Sequence, residues 1–153
     1  AERDAFVALG PIDARAHVVV LQGTTETPAL WGTTVHGLLW DAAPTSWHCL
    51  SLMWGPHRIT RRTARSLEVR LANGAPFYLG LFRSARRHPM RPGDRARLSI
   101  GSVTALEVAG GQPTAFLLEL DPAVDFEAVV FLKYDDDRFT PVTLPPVGES
   151  ATL

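Results

Sequence analysis

Apolar residues recur along the chain in short runs, many of them alternating with polar ones, and each run is cut by Gly, Pro, Asn or Asp. That is the pattern of β-strands joined by tight turns. The plainest alternation lies at 66–71, where Leu67, Val69 and Leu71 point one way and Ser66, Glu68 and Arg70 the other. Asn73-Gly74 follows, a pair that tolerates positive φ and predicts a hairpin with 77–82 as the return strand. Residues 95–100 alternate again, with Ala96, Leu98 and Ile100 on the inward side. Gly110-Gly111 predicts a hairpin between 103–108 and 114–120, and Asp135-Asp136-Asp137 another between 126–134 and 139–144. Nearer the start, 17–21 is rich in β-branched residues, 33–40 alternates loosely, and 47–54 is apolar enough for burial on both faces.

Two stretches depart from this pattern. Residues 1–10 suit one or two helical turns with Phe6 and Leu9 facing inward, a piece too short to be stable unless it docks. In 56–65, Arg58, Arg61, Arg62 and Arg65 stand at the spacing of one helix face, and Pro56 fits a first helical turn. Like charges at that spacing repel, and Ile59, Thr60 and Thr63 are β-branched, so a loop splaying four arginines is the favoured reading. About ten short strands at this spacing predict an all-β fold, a single antiparallel β-sandwich or barrel with room for one short N-terminal helix. The chain reads as one domain over 1–153, with 1–15 as a docking segment and 145–153, punctuated by Pro and Gly, as a surface tail.

Composition narrows this picture. With 153 residues, 46% hydrophobic and 20% charged, the chain has the balance of a globular protein with one continuous core. No apolar run approaches the roughly 20 residues needed to span a bilayer. The lone Cys49 forms no internal disulfide, so cysteine leaves the compartment open. The charged start Ala1-Glu2-Arg3-Asp4 suits residues just after a removed export signal and equally an excised domain. The expectation is a periplasmic or extracytoplasmic protein peripheral to a membrane, with the cytoplasm as the alternative.

Charge changes the picture most. Fourteen of the fifteen basic residues are arginine, and eleven of those lie within 57–97, where Glu68 and Asp94 are the only carboxylates, a net of +9. The remaining four cations meet fourteen carboxylates, a net of −10, so the overall −1 conceals a separation of sign along the chain. A GC-rich genome accounts for arginine over lysine but not for this crowding. Such a field orients what docks.

Motifs for catalysis are absent: there is no GxGxxG, GxxxxGK[ST], HExxH, CxxC or GxSxG. The five histidines are scattered; two of them converging with Cys49 would make a zinc site, but half-buried or surface histidines are the simpler reading. His48 and Cys49 are neighbours in an extended run and so point to opposite faces, which denies the thiol its base. Asp135-Asp136-Asp137 lacks the interleaved spacing of a calcium loop and sits where turn residues are needed. Glu107 and Glu119, flanking Gly110-Gly111, are more economically each the partner of an arginine than an acid/base pair. No cofactor is implied. Of Trp31, Trp40, Trp47 and Trp54, the last three abut apolar runs and read as core, and Trp31 as exposed.

The arginine band has three readings: internal pairing with the acidic remainder, a basic face for an anionic partner, and nucleic-acid binding. The last is weakest, since aromatic residues are not interleaved with the cations and the net charge is near zero. The favoured expectation is a non-enzymatic accessory or interaction domain that docks on an anionic protein surface, most naturally a subunit of a membrane-associated assembly, with anionic lipid headgroups as a further partner. Its docking residues are Arg58, Arg61, Arg62, Arg65, Arg70, Arg86, Arg87, Arg91, Arg95, Arg97 and Trp31. The rival is a small-molecule carrier or small enzyme, with Arg58, Arg61 or Arg62 holding an anion in the mouth of a β-barrel. Convergence of the arginines in a concavity separates the rival from a spread, convex docking face.

Overall fold

A computed structural model of the protein describes residues 2–23, 32–77 and 86–153. Trp31, Arg83 and, except for Phe77, the return strand expected at 77–82 lie outside them. In chain order the elements begin with helix α1 (Glu2–Leu9), strand β1 (His17–Gly23), helix α2 (Gly32–Trp40) and strand β2 (Ser46–Cys49). Strands β3 (His57–Thr63), β4 (Ser66–Leu71), β5 (Arg95–Leu98), β6 (Gly101–Ala109) and β7 (Gln112–Leu120) follow. A 3-10 turn (Phe126–Ala128) leads into β8 (Val129–Asp135), β9 (Arg138–Pro141) and β10 (Ser150–Thr152). The protein is β-rich, 44% strand with two short helices, and its strands form two sheets with no closed barrel among the described residues.

Contacts divide the chain into two compact units, each assembled from two stretches. The first joins Ala1–Trp54 to Asp125–Thr143 and holds a four-stranded sheet of order β2-β1-β8-β9. Here the antiparallel expectation fails, because β1 runs parallel to both β2 and β8. A parallel neighbour needs a crossover, and α2 lies on the one from β1 to β2. The β-branched start Thr33-Thr34-Val35 disguises that helix as a strand. Its true signal is Gly32, Val35, His36 and Leu39, spaced to bury one face of a helix. His36, fully buried, pins the helix: its Nε2 accepts from the Ile12 N–H at 3.0 Å, and its Nδ1 lies 2.9 Å from the Ala42 carbonyl, so the proton is on Nδ1. The core of this unit gathers Phe6 of α1, Val18 and Val20 of β1, Leu132 and Tyr134 of β8, and Phe139 of β9. Phe6 faces inward as expected. Trp47 closes on Phe6 and Phe139 with ring centroids 5.8 and 5.7 Å away. Trp54, by contrast, is 70% exposed rather than core.

The β8–β9 hairpin explains the three aspartates. Asp135 pairs with Arg138, leaving Asp136 and Asp137 as a two-residue loop with φ of 47° and 57°, which Asp tolerates better than most residues. The run is turn chemistry.

The second unit joins Gly55–Val124 to Leu144–Leu153 and holds a six-stranded antiparallel sheet of order β10-β3-β4-β7-β6-β5. The β6–β7 hairpin turns at Gly110-Gly111 as predicted, with φ of 60° and 76°. Segment 56–65 is neither loop nor helix. Burial of His57 and Ile59 and the β-branched residues make it strand β3, hairpinned to β4. Strand β4 lies between β3 and β7. Segment 145–153 is not only a surface tail: Ser150, Ala151 and Thr152 pair with Thr60, Ile59 and Arg58 and make β10 the edge strand. The inward side of the sheet carries Ile59, Leu67, Val69, Leu71, Phe116 and Leu118, all buried. On the edge strand β5 the expected inward Ala96 is exposed, and burial begins only at Ile100.

The sign separation follows this division. By sequence, the second unit carries eleven arginines against six carboxylates, a net of +5, and the first carries four cations against ten carboxylates, a net of −6. No helix among the described residues is long and apolar enough to cross a membrane.

Candidate functional site

Strand pairing decides what the outer face of the six-stranded sheet presents. With His57 and Ile59 buried, Arg58, Thr60 and Arg62 point outward from β3. Arg58 lies directly across from Arg70, and Thr60 across from Glu68. The row through Glu68 continues to Leu117, Thr104 and Arg95, and the next runs through Ser66, Glu119, Ser102 and Arg97. Arg70, Arg95 and Arg97 thus share one face although β4 and β5 are not neighbours, since β7 and β6 lie between them.

Those intervening strands bring carboxylates to the arginines. Arg70 donates from Nε to Glu68 Oε1 at 2.8 Å and reaches Glu107 at 3.2 Å. Arg62 donates from Nε to Glu68 Oε2 at 2.7 Å. Arg95 bonds Ser102 Oγ at 2.6 Å with Glu119 3.9 Å away, and Arg97 grips both oxygens of Asp121, one of them at 3.0 Å. Glu107 and Glu119 do not face one another: across the hairpin Glu107 opposes Ala115, and Glu119 opposes Ser102. Each meets an arginine instead. Exposed pairs of this sort contribute about 0–1 kcal/mol each, so they fix side-chain directions more than they stabilise the fold.

Glu68 is different because its side chain is only 3% exposed while Arg62 and Arg70 are 56% and 32% exposed. Burial pushes its pKa up, but the hydrogen bonds from Arg62 and Arg70 and their positive charge outweigh burial and hold it below the ordinary glutamate value of 4.5. A carboxyl with a lowered folded-state pKa adds stability above the unfolded pKa and loses it as pH falls through the folded one. Glu68→Gln is therefore expected to destabilise the protein at neutral pH by about 1–3 kcal/mol, and the deficit to shrink as pH drops below 4.5. Urea titrations of both proteins at neutral and acidic pH measure this; a deficit independent of pH contradicts it.

The other expected docking residues divide. Arg61 is half-buried, on the opposite side of β3 from Arg58 and Arg62, and donates to the Ala64 carbonyl at 3.2 Å. Arg65 donates to the carbonyls of Asp121 and Val124 at 2.9 and 2.8 Å and serves the turn after β7. Arg86, Arg87 and Arg91 are exposed, and the Arg91 N–H closes a turn onto Asp94 Oδ2 at 3.0 Å. Arg58, Arg86 and Arg91 form no ion pair with a described carboxylate.

At the β10–β3–β4 end of this face lies a pocket of about 370 Å³ lined by Arg58, Thr60, Arg62, Glu68, Arg70, Gly148 and Ser150. Arg58 and Arg62 converge here, as the anion-pocket reading requires, but Arg61 does not, and the described strands around them form an open sheet rather than a barrel. Sequence reasoning missed Glu68, Thr60, Gly148 and Ser150. Glu68 carried one signal, as the lone acid in an alternating strand amid arginines; Gly148 and Ser150 carried none, because only strand pairing brings them in.

Burial pushes the Cys49 thiol up to about 12, its Sγ donates to the Ser51 carbonyl at 3.3 Å, and it stays protonated at neutral pH. No group of three or more His, Cys, Asp or Glu among the described residues is placed to hold a metal. The chain matches no protein-family profile, no curated protein and no solved structure.

Proposed function

We propose that the six-stranded unit is a non-enzymatic docking module that binds an anionic protein surface through its arginine face. The observation that carries this reading is the surplus left after internal pairing: eleven arginines against six carboxylates in the unit, with exposed Arg58, Arg86 and Arg91 unanswered by any described carboxylate. Salt-bridged Arg95 and Arg97 keep one side open to solvent and lie on the same outer face of the sheet as Arg58. Long-range attraction of this kind speeds and orients encounter more than it adds affinity. A partner in a membrane-associated assembly suits it, because anionic headgroups nearby add about 1 kcal/mol per cation close to the surface.

Poly-glutamate and phosphatidylserine vesicles, compared at low ionic strength, test the reading. The expected result is tighter association with poly-glutamate, weakening steeply as the Debye length falls to about 8 Å near physiological salt. The double reversal Arg86→Glu/Arg91→Glu is expected to cost about tenfold or more in that affinity, since each reversal replaces an attraction with a repulsion. Equal binding by the wild type and the reversed protein removes the docking reading; vesicle binding without poly-glutamate binding moves the partner from protein to lipid.

A further inference from the structure

We propose that the pocket between β10, β3 and β4 is a seat for one tetrahedral oxyanion, the phosphoryl group of a phosphomonoester. That this seat is also where the docking module grips its partner rests on the reading above; the seat itself does not.

The first indication is an unrelieved repulsion. Arg58 and Arg70 are directly opposed on one face of an antiparallel pair, the arrangement in which like charges destabilise a sheet. Arg70 is answered by Glu68 and Glu107, but Arg58 is answered by no described carboxylate. The lining holds three arginines and one glutamate, a surplus of +2. A phosphomonoester near neutral pH carries about −1.5 to −2 and cancels that surplus, where a phosphodiester or carboxylate, with one charge, leaves half of it.

The second indication is the set of donors left over. Glu68 occupies the Nε–Nη2 edges of both Arg62 and Arg70. The Nη1 group of Arg62 and the whole fork of Arg58 bond to no described residue. Thr60 Oγ1 and Ser150 Oγ are 2.7 Å apart, so one hydroxyl hydrogen joins them and the other is free to donate outward. A carboxylate is satisfied by one arginine fork, whereas three terminal oxygens use two guanidiniums and a hydroxyl together. Glu68, buried beneath, holds Arg62 and Arg70 in place before the ligand arrives, which lowers the entropy lost on binding. At about 370 Å³ the pocket also has room for the group that bears the ester.

Titration of the full chain with inorganic phosphate, phosphoserine and acetate at constant ionic strength, followed by amide NMR shifts, tests the seat. Phosphate and phosphoserine are expected to give saturable shifts at Thr60, Gly148 and Ser150, with acetate about tenfold weaker, as expected when one charge-assisted contact is lost. Arg58→Gln is expected to weaken phosphate by about tenfold or more while leaving amide shifts outside β3, β4 and β10 unchanged, and Ser150→Ala to weaken it less. Phosphoserine binding more tightly than phosphate identifies an esterified group as the occupant; equal affinities identify the phosphoryl group alone as sufficient. Unsaturable shifts spread over Arg86, Arg91 and Arg97, or wild-type affinity in Arg58→Gln, overturn the proposal. Phosphate needs no partner, and Arg86 and Arg91 do not line the pocket. Loss of poly-glutamate binding therefore removes the docking reading alone, and loss of phosphate saturation removes the seat alone.

Discussion

Phe6→Ala is expected to cost about 3–5 kcal/mol, the range for truncating a fully buried phenylalanine. Phe6 has no exposed surface, and its ring lies 4.9 Å from Phe139 and 5.8 Å from Trp47 by centroid distance. It is the main apolar anchor of α1, whose eight residues are too few to stay helical in water alone. The substitution thus opens a cavity and also releases an element that only packing holds. Hydrogen exchange should quicken first at the amides of α1, and the urea midpoint should fall with it. A drop under about 1 kcal/mol, within the usual range of surface changes, would mean that α1 is held by something other than this ring.

Gly101→Ala is the second large effect. A Cβ built at Gly101 lies 1.9 Å from the Glu119 carbonyl oxygen and 3.0 Å from Leu120 Cα. These are backbone atoms of the neighbouring β7, paired with Gly101 in register, and they cannot swing aside as a side chain can. Alanine therefore has to push β6 off β7 at that end, at a cost near the upper limit for overpacking, about 3 kcal/mol. The same displacement moves Ser102 and Asp121, so Arg95 and Arg97 lose their partners. Gly148→Ala makes a useful contrast because nothing lies within 4 Å of its added Cβ, and its φ of 89° is the sole source of strain. Equal denaturation midpoints for Gly101→Ala and wild type would contradict the close approach.

Which parts of this structure could be read from the chain depends on how local their causes are. The β6–β7 and β8–β9 hairpins turn on adjacent residues with positive φ, Gly110-Gly111 and Asp136-Asp137, and both were legible. The alternation of β4 was legible for the same reason. Helix α2 was not, because its β-branched first turn outweighs the helical spacing of Val35, His36 and Leu39 in any short window. The parallel neighbours of β1 are set by residues far away, such as Val129 against His17, and the only local hint was an unbroken apolar run buried on both faces. For the candidate site, the arginines and their crowding were plain. Which of them keep a free fork was not, because Glu68, Glu107, Glu119 and Asp121 arrive by register rather than by sequence. Arg61 and Arg65 looked equivalent to Arg58 and Arg62 until strand parity and a turn carbonyl separated them.

The two-stretch construction of each unit also bears on the order of events as the chain is made. Strand β1 is made more than a hundred residues before its partner β8, and β3 about ninety before β10. Neither unit can complete its sheet before its second stretch has been made, 125–143 for the first and 144–153 for the second. Closing such long loops late raises the contact order and slows folding. Meanwhile β3 stands as an open edge whose outward arginines repel a second copy of themselves, a guard against mispairing that serves the nascent chain before any partner is met.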